Sequence, residues 1–322
     1  MRNYYLIIRC LNLLYMAACD PVQPVLELRK FDMSQINDNH VVVLIGRRDT
    51  GKSFLCRDIL YHHRDIPVGQ VISGTEDANE FYSKMVPKLF IHTKYSTEVI
   101  QNTLKRQRMM LDKCKENPNI DPRAFLILDD CSWVNDKFLG TIFMNGRHLK
   151  LLFLLTMQYA LDIPPKSRTK VDFVFILRDN YISNRKRLYE HYAGMFRTFD
   201  MFCQVMDQCT ENYECLVINS NAKSNKISDQ VFWYKADSHS DFKIGSDSYW
   251  LYSKNNYSNK PPPSPPSEEE CSICMYDVPL DNNQWVECGT CTNTICKRCK
   301  DQLIPNKCTI CKTLNSYAPR TF

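Results

Sequence analysis

The sequence has no apolar run long enough to cross a membrane. Its most apolar opening, Tyr4 to Cys19, is interrupted by Arg9 and Asn12, whereas a spanning helix needs roughly 20 predominantly apolar residues. No stable membrane span is therefore expected. No segment repeats another, which argues against a stacked array. Neither sign of charge dominates: 41 Lys and Arg stand against 36 Asp and Glu, a formal net charge of +5. The positive excess lies ahead of Glu268, because the remainder holds six basic and seven acidic residues. That modest excess suits a nucleic-acid partner without requiring one. Histidine stops at His239, so whatever metal chemistry lies beyond it must be done without imidazole.

What is present is organised around Gly46 to Ser53, GRRDTGKS. It fits the phosphate-loop pattern of a glycine, four residues, then Gly-Lys-Ser. Its context fits too. Val41 to Ile45 is an apolar, β-branched run that reads as a buried strand, and Phe54 to Tyr61 reads as the first turns of a helix. A strand, a glycine-bearing turn and a helix start let backbone N–H groups and the positive helix end cradle phosphate oxygens. Gly46, Arg47, Arg48, Asp49, Thr50, Gly51, Lys52 and Ser53 are the expected nucleotide contacts, with Lys52 on the β and γ phosphates and Ser53 on Mg2+.

Downstream, strands are expected at Gln70–Ser73, Ala124–Leu128, Leu149–Thr156, Val171–Leu177 and Cys215–Asn219, with an edge hairpin at Val231–Ala236 and a lead-in at Leu26–Met33. Helices are expected at Asp77–Lys84, Ser96–Glu116, Arg185–Ala193 and Met201–Cys209. Such alternation argues for an α/β domain over residues 26–252 with a mostly parallel sheet covered on both faces. Asp129 and Asp130 end the Ala124–Leu128 strand. An acidic pair at a strand tip, downstream of a phosphate loop, suits a magnesium-dependent ATPase: Asp129 to hold the ion, Asp130 to orient or deprotonate the attacking water. Gln158, at the tip of the next strand, suits a sensor of the γ phosphate. Arg147 is the expected arginine finger toward a neighbouring subunit, with Arg178 in reserve. Lys105, Arg106, Arg108 and Lys113 on the long helix would track a DNA backbone or form a solvated face. Residues 1–25 read as an N-terminal extension, either a helix or sequence upstream of a start at Met16. The rival is a secretion signal ending near Cys19, and a secreted ATPase would have no fuel.

A Pro-, Ser- and Glu-rich stretch, residues 253–270, reads as an extended linker. Sixteen cysteines are present, eight of them between Cys271 and Cys311; the scattered remainder read as free thiols of a reducing compartment. The eight form four C-x-x-C pairs: Cys271/Cys274, Cys288/Cys291, Cys296/Cys299 and Cys308/Cys311. Two residues between thiolates let both sulfurs face one tetrahedral metal, so eight ligands fill two Zn2+ sites. The wiring is sequential or interleaved; the four-residue gap between Cys291 and Cys296 suits interleaving. So small a module, residues 271–314 with a tail at 315–322, would draw most of its folding free energy from metal.

The order and approximate spacing of these pairs resemble the RING finger family. That family has a histidine near the position of Cys291, and a proline after the seventh cysteine where this chain has Thr309. An arginine often follows the eighth; here it is Lys312. The resemblance implies a docking groove that includes Ile273 and a ubiquitin-conjugating enzyme as partner. The body resembles the poxvirus-like packaging ATPases of large double-stranded DNA viruses, within the FtsK–HerA superfamily. The matching residues are GRRDTGKS, SGTEDANEFY from Ser73, ILDD, MNGRHLKLLFLLTMQY from Met144, FVFILRDN from Phe173, YECLVINSN from Tyr213 and FWYKA from Phe232. This resemblance implies a homo-oligomeric ring that drives double-stranded DNA into a capsid, in the virion and the cytoplasmic virus factory. The tail would then dock onto capsid protein or DNA, or recruit host ubiquitin machinery. The alternative implied by the tail is a RING-type ubiquitin ligase or adaptor with an ATPase-like scaffold.

Overall fold

The computed structural model describes residues 26–131, 137–160, 163–257, 268–271, 273–274, 277–279, 284–303 and 307–319. The expected N-terminal extension, with Met16, Cys10 and Cys19, lies outside the described residues, as does the proline-rich core of the linker. The chain divides into two compact units, Met1–Ser258 and Asn259–Phe322.

The first unit is a nine-stranded sheet. Its strands are β1 (Arg29–Lys30), β2 (Val41–Ile45), β3 (Gly69–Ser73), β4 (Ile91–His92), β5 (Ala124–Asp129), β6 (Leu151–Met157), β7 (Phe173–Ile176), β8 (Glu214–Asn219) and β9 (Val231–Lys235). They lie in the order β1-β9-β8-β7-β2-β6-β5-β3-β4. The pairings are parallel except those of β8 with β7 and with β9. Successive residues of β2 point to opposite faces, and all five are buried. Val41, Val43 and Ile45 join one core and Val42 and Leu44 the other. A strand apolar on both faces is what a sheet with two helical layers requires.

Helix α1 (Lys52–His62) covers one face through Leu55, Cys56, Ile59 and Leu60. Helices α2 (Thr97–Glu116), α3 (Lys137–Asn145), α4 (Ile182–Tyr192) and α5 (Phe199–Cys209) cover the other. Each gives it an apolar stripe, such as Phe202, Val205, Met206 and Cys209 of α5. Helix α6 (Asp247–Asn256) follows β9; its Tyr249 hydroxyl donates to the carbonyl of Gly69 at 2.7 Å.

Two expectations change. The stretch 231–236 is not an edge: β9 has β8 on one side and, on the other, β1, which pairs parallel with Phe232 and Trp233. The expected helix 77–84 is a single turn, Glu76–Asn79, followed by a 3-10 turn, Tyr82–Lys84. Glu80 breaks it with a left-handed φ of 45°, and the buried Glu76 carboxylate accepts from the N–H groups of Tyr82 and Ser83, each at 2.8 Å.

The second unit has strands β10 (Glu268–Glu270), β11 (Asp277–Pro279), β12 (Trp285–Cys288), β13 (Thr294–Cys296) and β14 (Tyr317–Pro319), and a short helix α7 (Lys297–Asp301). Its small core joins Trp285, Val286 and Ile295 to Cys271, Cys296 and Cys299.

Candidate nucleotide site and cysteine tetrads

The phosphate loop leaves the C-terminal end of β2 and enters α1 through Gly51, whose φ is 101°. Asp49 is also left-handed, φ 61°. Gly46 is sterically required: a Cβ there would stand 2.7 Å from the Thr50 hydroxyl and 2.8 Å from the Leu177 Cβ. The loop is tied down by the Thr50 hydroxyl, which donates to the Arg47 carbonyl at 2.7 Å. Arg47 lies over the Tyr181 ring, 4.6 Å from its centroid. The Lys52 ammonium folds back on the carbonyls of Gly46 and Arg47 at 2.6 and 2.9 Å. Burial lowers its pKa, while Asp130, Asp129 and Asp49 oppose that shift.

Strand β6 lies between β2 and β5, so its tip stands between the loop and the acidic pair. Thr156 uses this position twice. Its hydroxyl donates to Asp129 at 2.6 Å and accepts from the Asp130 N–H at 3.1 Å. The Ser73 hydroxyl reaches the other Asp129 oxygen at 3.4 Å. Burial raises the Asp129 pKa, against hydrogen bonds from Thr156 and Tyr82 and with the charge of Asp130 adding to the rise. Asp130 turns off the strand with φ 49°, and the Gln158 amide donates to both its carboxylate oxygens at 2.7 and 2.9 Å. Lys52, Asp129, Asp130 and Gln158 are thus brought to one end of the sheet, with Gly46–Ser53 around them.

Arg147 is not. It precedes β6 and therefore sits at the opposite edge of the parallel strands. It pairs there with the buried Asp172, whose other oxygen accepts from the Val41 N–H at 2.7 Å. About 16 Å of strand separates it from the loop. Arg178 follows β7 at the loop's end and bonds Asn180 and Glu211 at 3.1 and 3.5 Å. Lys105, Arg108 and Lys113 are exposed on α2, and Arg106 is half-buried.

Beside Gly51 opens a cavity of about 420 Å³ lined by Phe54, Leu55, Leu177, Tyr213, Cys215, Lys235 and Ala236. Because β8 runs antiparallel to β7, the start of β8 and the end of β9 both arrive at the loop's end of the sheet. Asn212 and Tyr213 hold consecutive left-handed conformations, φ 53° and 64°, and Tyr213 lies against Gly51. Phe54 and Tyr213 are 51% and 69% exposed. Thr156, Ser73 and Tyr213 lie in segments that match the packaging-ATPase pattern, but their places in the site follow only from the strand order.

In the second unit the cysteines gather as Cys271, Cys274, Cys296 and Cys299, and as Cys288, Cys291, Cys308 and Cys311. The wiring is interleaved. Sulfur separations of 3.9 Å (Cys274–Cys296), 3.6 Å (Cys288–Cys311) and 3.5 Å (Cys291–Cys308) are far too long for disulfides. They match the roughly 3.8 Å expected between thiolates about 2.3 Å from a tetrahedral Zn2+. The Cys296 N–H points at the Cys271 sulfur at 3.3 Å, and the Tyr317 hydroxyl at that of Cys308 at 3.6 Å. Both tetrads therefore fit zinc.

The fold and the loop define the class: an α/β protein with the P-loop NTPase architecture, carrying a cysteine-rich module that could bind zinc. No protein-family model matches the chain. It is 40% identical over 250 residues to the uncharacterized protein 075L of Invertebrate iridescent virus 6, covering 72% of this chain and 95% of that one. It is 32% identical over 243 residues to the uncharacterized protein 015R of Frog virus 3, covering 71% and 74%. The chain belongs to this family of viral proteins. Among solved structures it is similar to the genome packaging NTPase B204 of Sulfolobus turreted icosahedral virus 2 in complex with AMPPCP. The TM-score is 0.45 at 16% identity, over 63% of this chain and 100% of that one. Among the described residues no helix is long and apolar enough to cross a membrane.

Proposed function

We propose that this protein is an ATP-hydrolysing DNA translocase that packages viral double-stranded DNA into capsids, acting as a homo-oligomeric ring. The observation that carries the reading is the meeting of the Lys52 loop, the Thr156–Asp129 pair and the Gln158–Asp130 pair at one end of a parallel sheet. In this reading the N–H groups from Arg47 to Ser53 cradle the phosphates. Lys52 exchanges its loop carbonyls for phosphate oxygens, a move that its carbonyl-only partners make easy. Ser53 and Asp129 would hold Mg2+, which supplies charge neutralisation on the phosphates when bound. Thr156 and Ser73 fix the Asp129 carboxylate. Asp130, aimed by Gln158, orients the attacking water and accepts its proton. The cavity between Phe54 and Tyr213 takes the base by stacking.

An arginine from a neighbouring subunit completes the charge stabilisation. Arg178 is favoured for this role because its partners Asn180 and Glu211 are exposed and readily exchanged, whereas Arg147 is bound to the buried Asp172. Double-stranded DNA is the substrate track, with the exposed basic residues of α2 as its candidate contacts. The virion and the virus factory are the expected locations.

The zinc module is read as a docking element for capsid protein or DNA. A second reading, recruitment of a ubiquitin-conjugating enzyme, is favoured by the exposure of Ile273 and Ile310, 40% and 66%; its test is discharge of a ubiquitin-loaded conjugating enzyme. The motor itself is tested by displacement of a third strand from a DNA triplex. ATP-dependent displacement, lost in Lys52→Ala, is expected. Displacement that is absent while ATP is hydrolysed would refute translocation.

A further inference from the structure

We propose that Asp58, His62 and His239 form a mononuclear site for a divalent transition metal of the zinc class, on α1 beyond the phosphate loop and built from none of the tetrad cysteines. Asp58 and His62 lie one turn apart on α1, and His239 comes from the segment that follows β9. Their ligand atoms all fall within 4.8 Å of one another. The Asp58 side chain is fully buried, a position a carboxylate occupies only when its charge is matched. One of its oxygens is committed: Oδ2 accepts from the Tyr234 hydroxyl at 2.6 Å and the Asp237 N–H at 3.1 Å. The other, Oδ1, faces two imidazoles through the same ring atom, Nε2 of His239 at 2.5 Å and Nε2 of His62 at 3.5 Å.

Two imidazole nitrogens converging on one carboxylate oxygen is the arrangement a shared cation satisfies. Ligand atoms about 2.0–2.1 Å from a tetrahedral metal stand roughly 3.3 Å apart, so the His62 spacing already fits and His239 must withdraw by less than about 1 Å. The surroundings hold the ligands in the manner of a metal site's supporting groups. Tyr61 stacks flat on His239, 3.7 Å between centroids at 9°, and Tyr234 and Asp237 orient the carboxylate. His62 is 39% exposed, which leaves an entry path and an open position. Two imidazoles and a carboxylate suit zinc rather than magnesium or calcium. Arg57 already bonds the carbonyls of His239 and Ser240, so a bound metal would lock this segment onto the helix that carries Lys52.

The test is the zinc content of the untagged full chain, equilibrated with zinc and desalted, beside His62→Ala and His62→Gln. Circular dichroism checks that each is folded. One zinc fewer per chain in both variants is the expected result. In cobalt-substituted protein the same variants should lose absorption that lacks the thiolate charge-transfer band, while the band of the cysteine sites stays. Equal zinc content in the wild type and in either folded variant would overturn the proposal. So would a loss confined to the thiolate band. Neither result depends on nucleotide binding.

Discussion

Replacing Tyr213 by Ala isolates the base-binding part of the proposed nucleotide site. The Tyr213 ring lies over the loop: a Cβ added to Gly51 would stand 3.4 Å from its Cδ1. The side chain is 69% exposed, so its removal opens no core cavity and should leave the fold intact. What it removes is a stacking platform. Stacking of a base on an aromatic side chain is worth about 1–3 kcal/mol, and each 1.4 kcal/mol is tenfold in affinity. Tyr213→Ala should therefore weaken binding of a non-hydrolysable ATP analogue by about 5- to 150-fold, read by isothermal titration. Tyr213→Phe, which keeps the ring, should bind like the wild type. Ribose triphosphate, which lacks the base, should bind the wild type and Tyr213→Ala equally. An unchanged affinity of Tyr213→Ala for the ATP analogue would refute the reasoning, as would an equal loss for the base-free ligand.

Thr156→Val removes the hydroxyl that joins Asp129 to the Asp130 N–H. It should lower kcat by about 10- to 100-fold, the loss of one charge-assisted hydrogen bond to Asp129 and one neutral one from the Asp130 N–H, with nucleotide affinity little changed. Gly46→Ala places a Cβ 2.7 Å from the Thr50 hydroxyl and 2.8 Å from the Leu177 Cβ; overpacking of that kind costs about 1–3 kcal/mol, to be seen as a lower Tm and weaker nucleotide binding. Stripping zinc with a chelator should unfold the cysteine module, with loss of amide dispersion for residues 271–319 in NMR spectra, while the signals of the sheet residues persist. Asp38 is held at about 2, first by its hydrogen bond with His63 and then, against burial, by Arg123. A depressed carboxyl stabilises above its ordinary 3.8 and loses that contribution as pH falls toward 2. The Tm deficit of Asp38→Asn should therefore shrink over that window.

Much of the sheet is legible because its strands are short apolar runs bounded by polar turns; β2, β5, β6 and β8 are all of this kind. The loop and the acidic pair are legible because each motif sits at the end of such a run. What the sequence leaves hidden has a common origin in topology. Arg147 adjoins β6 in sequence, but a residue that precedes a parallel strand lies at the edge opposite the loop. Val231–Ala236 reads as an edge because its outer partner is a two-residue strand about 200 residues upstream, too short to announce itself. Thr156 is an ordinary strand residue until β6 is seen to lie between β2 and β5. Tyr213 joins the site only because β8 reverses direction. The cysteine pairs are plain in the sequence, but pair spacing alone leaves two wirings open, and the sulfur positions decide between them.

The central claim is tested most directly by ATP hydrolysis of the purified full chain with zinc retained, with and without double-stranded DNA, beside Lys52→Ala and Asp130→Asn. The account predicts magnesium-dependent hydrolysis that DNA stimulates and that both variants abolish. Hydrolysis indifferent to DNA in a folded, assembled sample, or activity that survives in both variants, would contradict it.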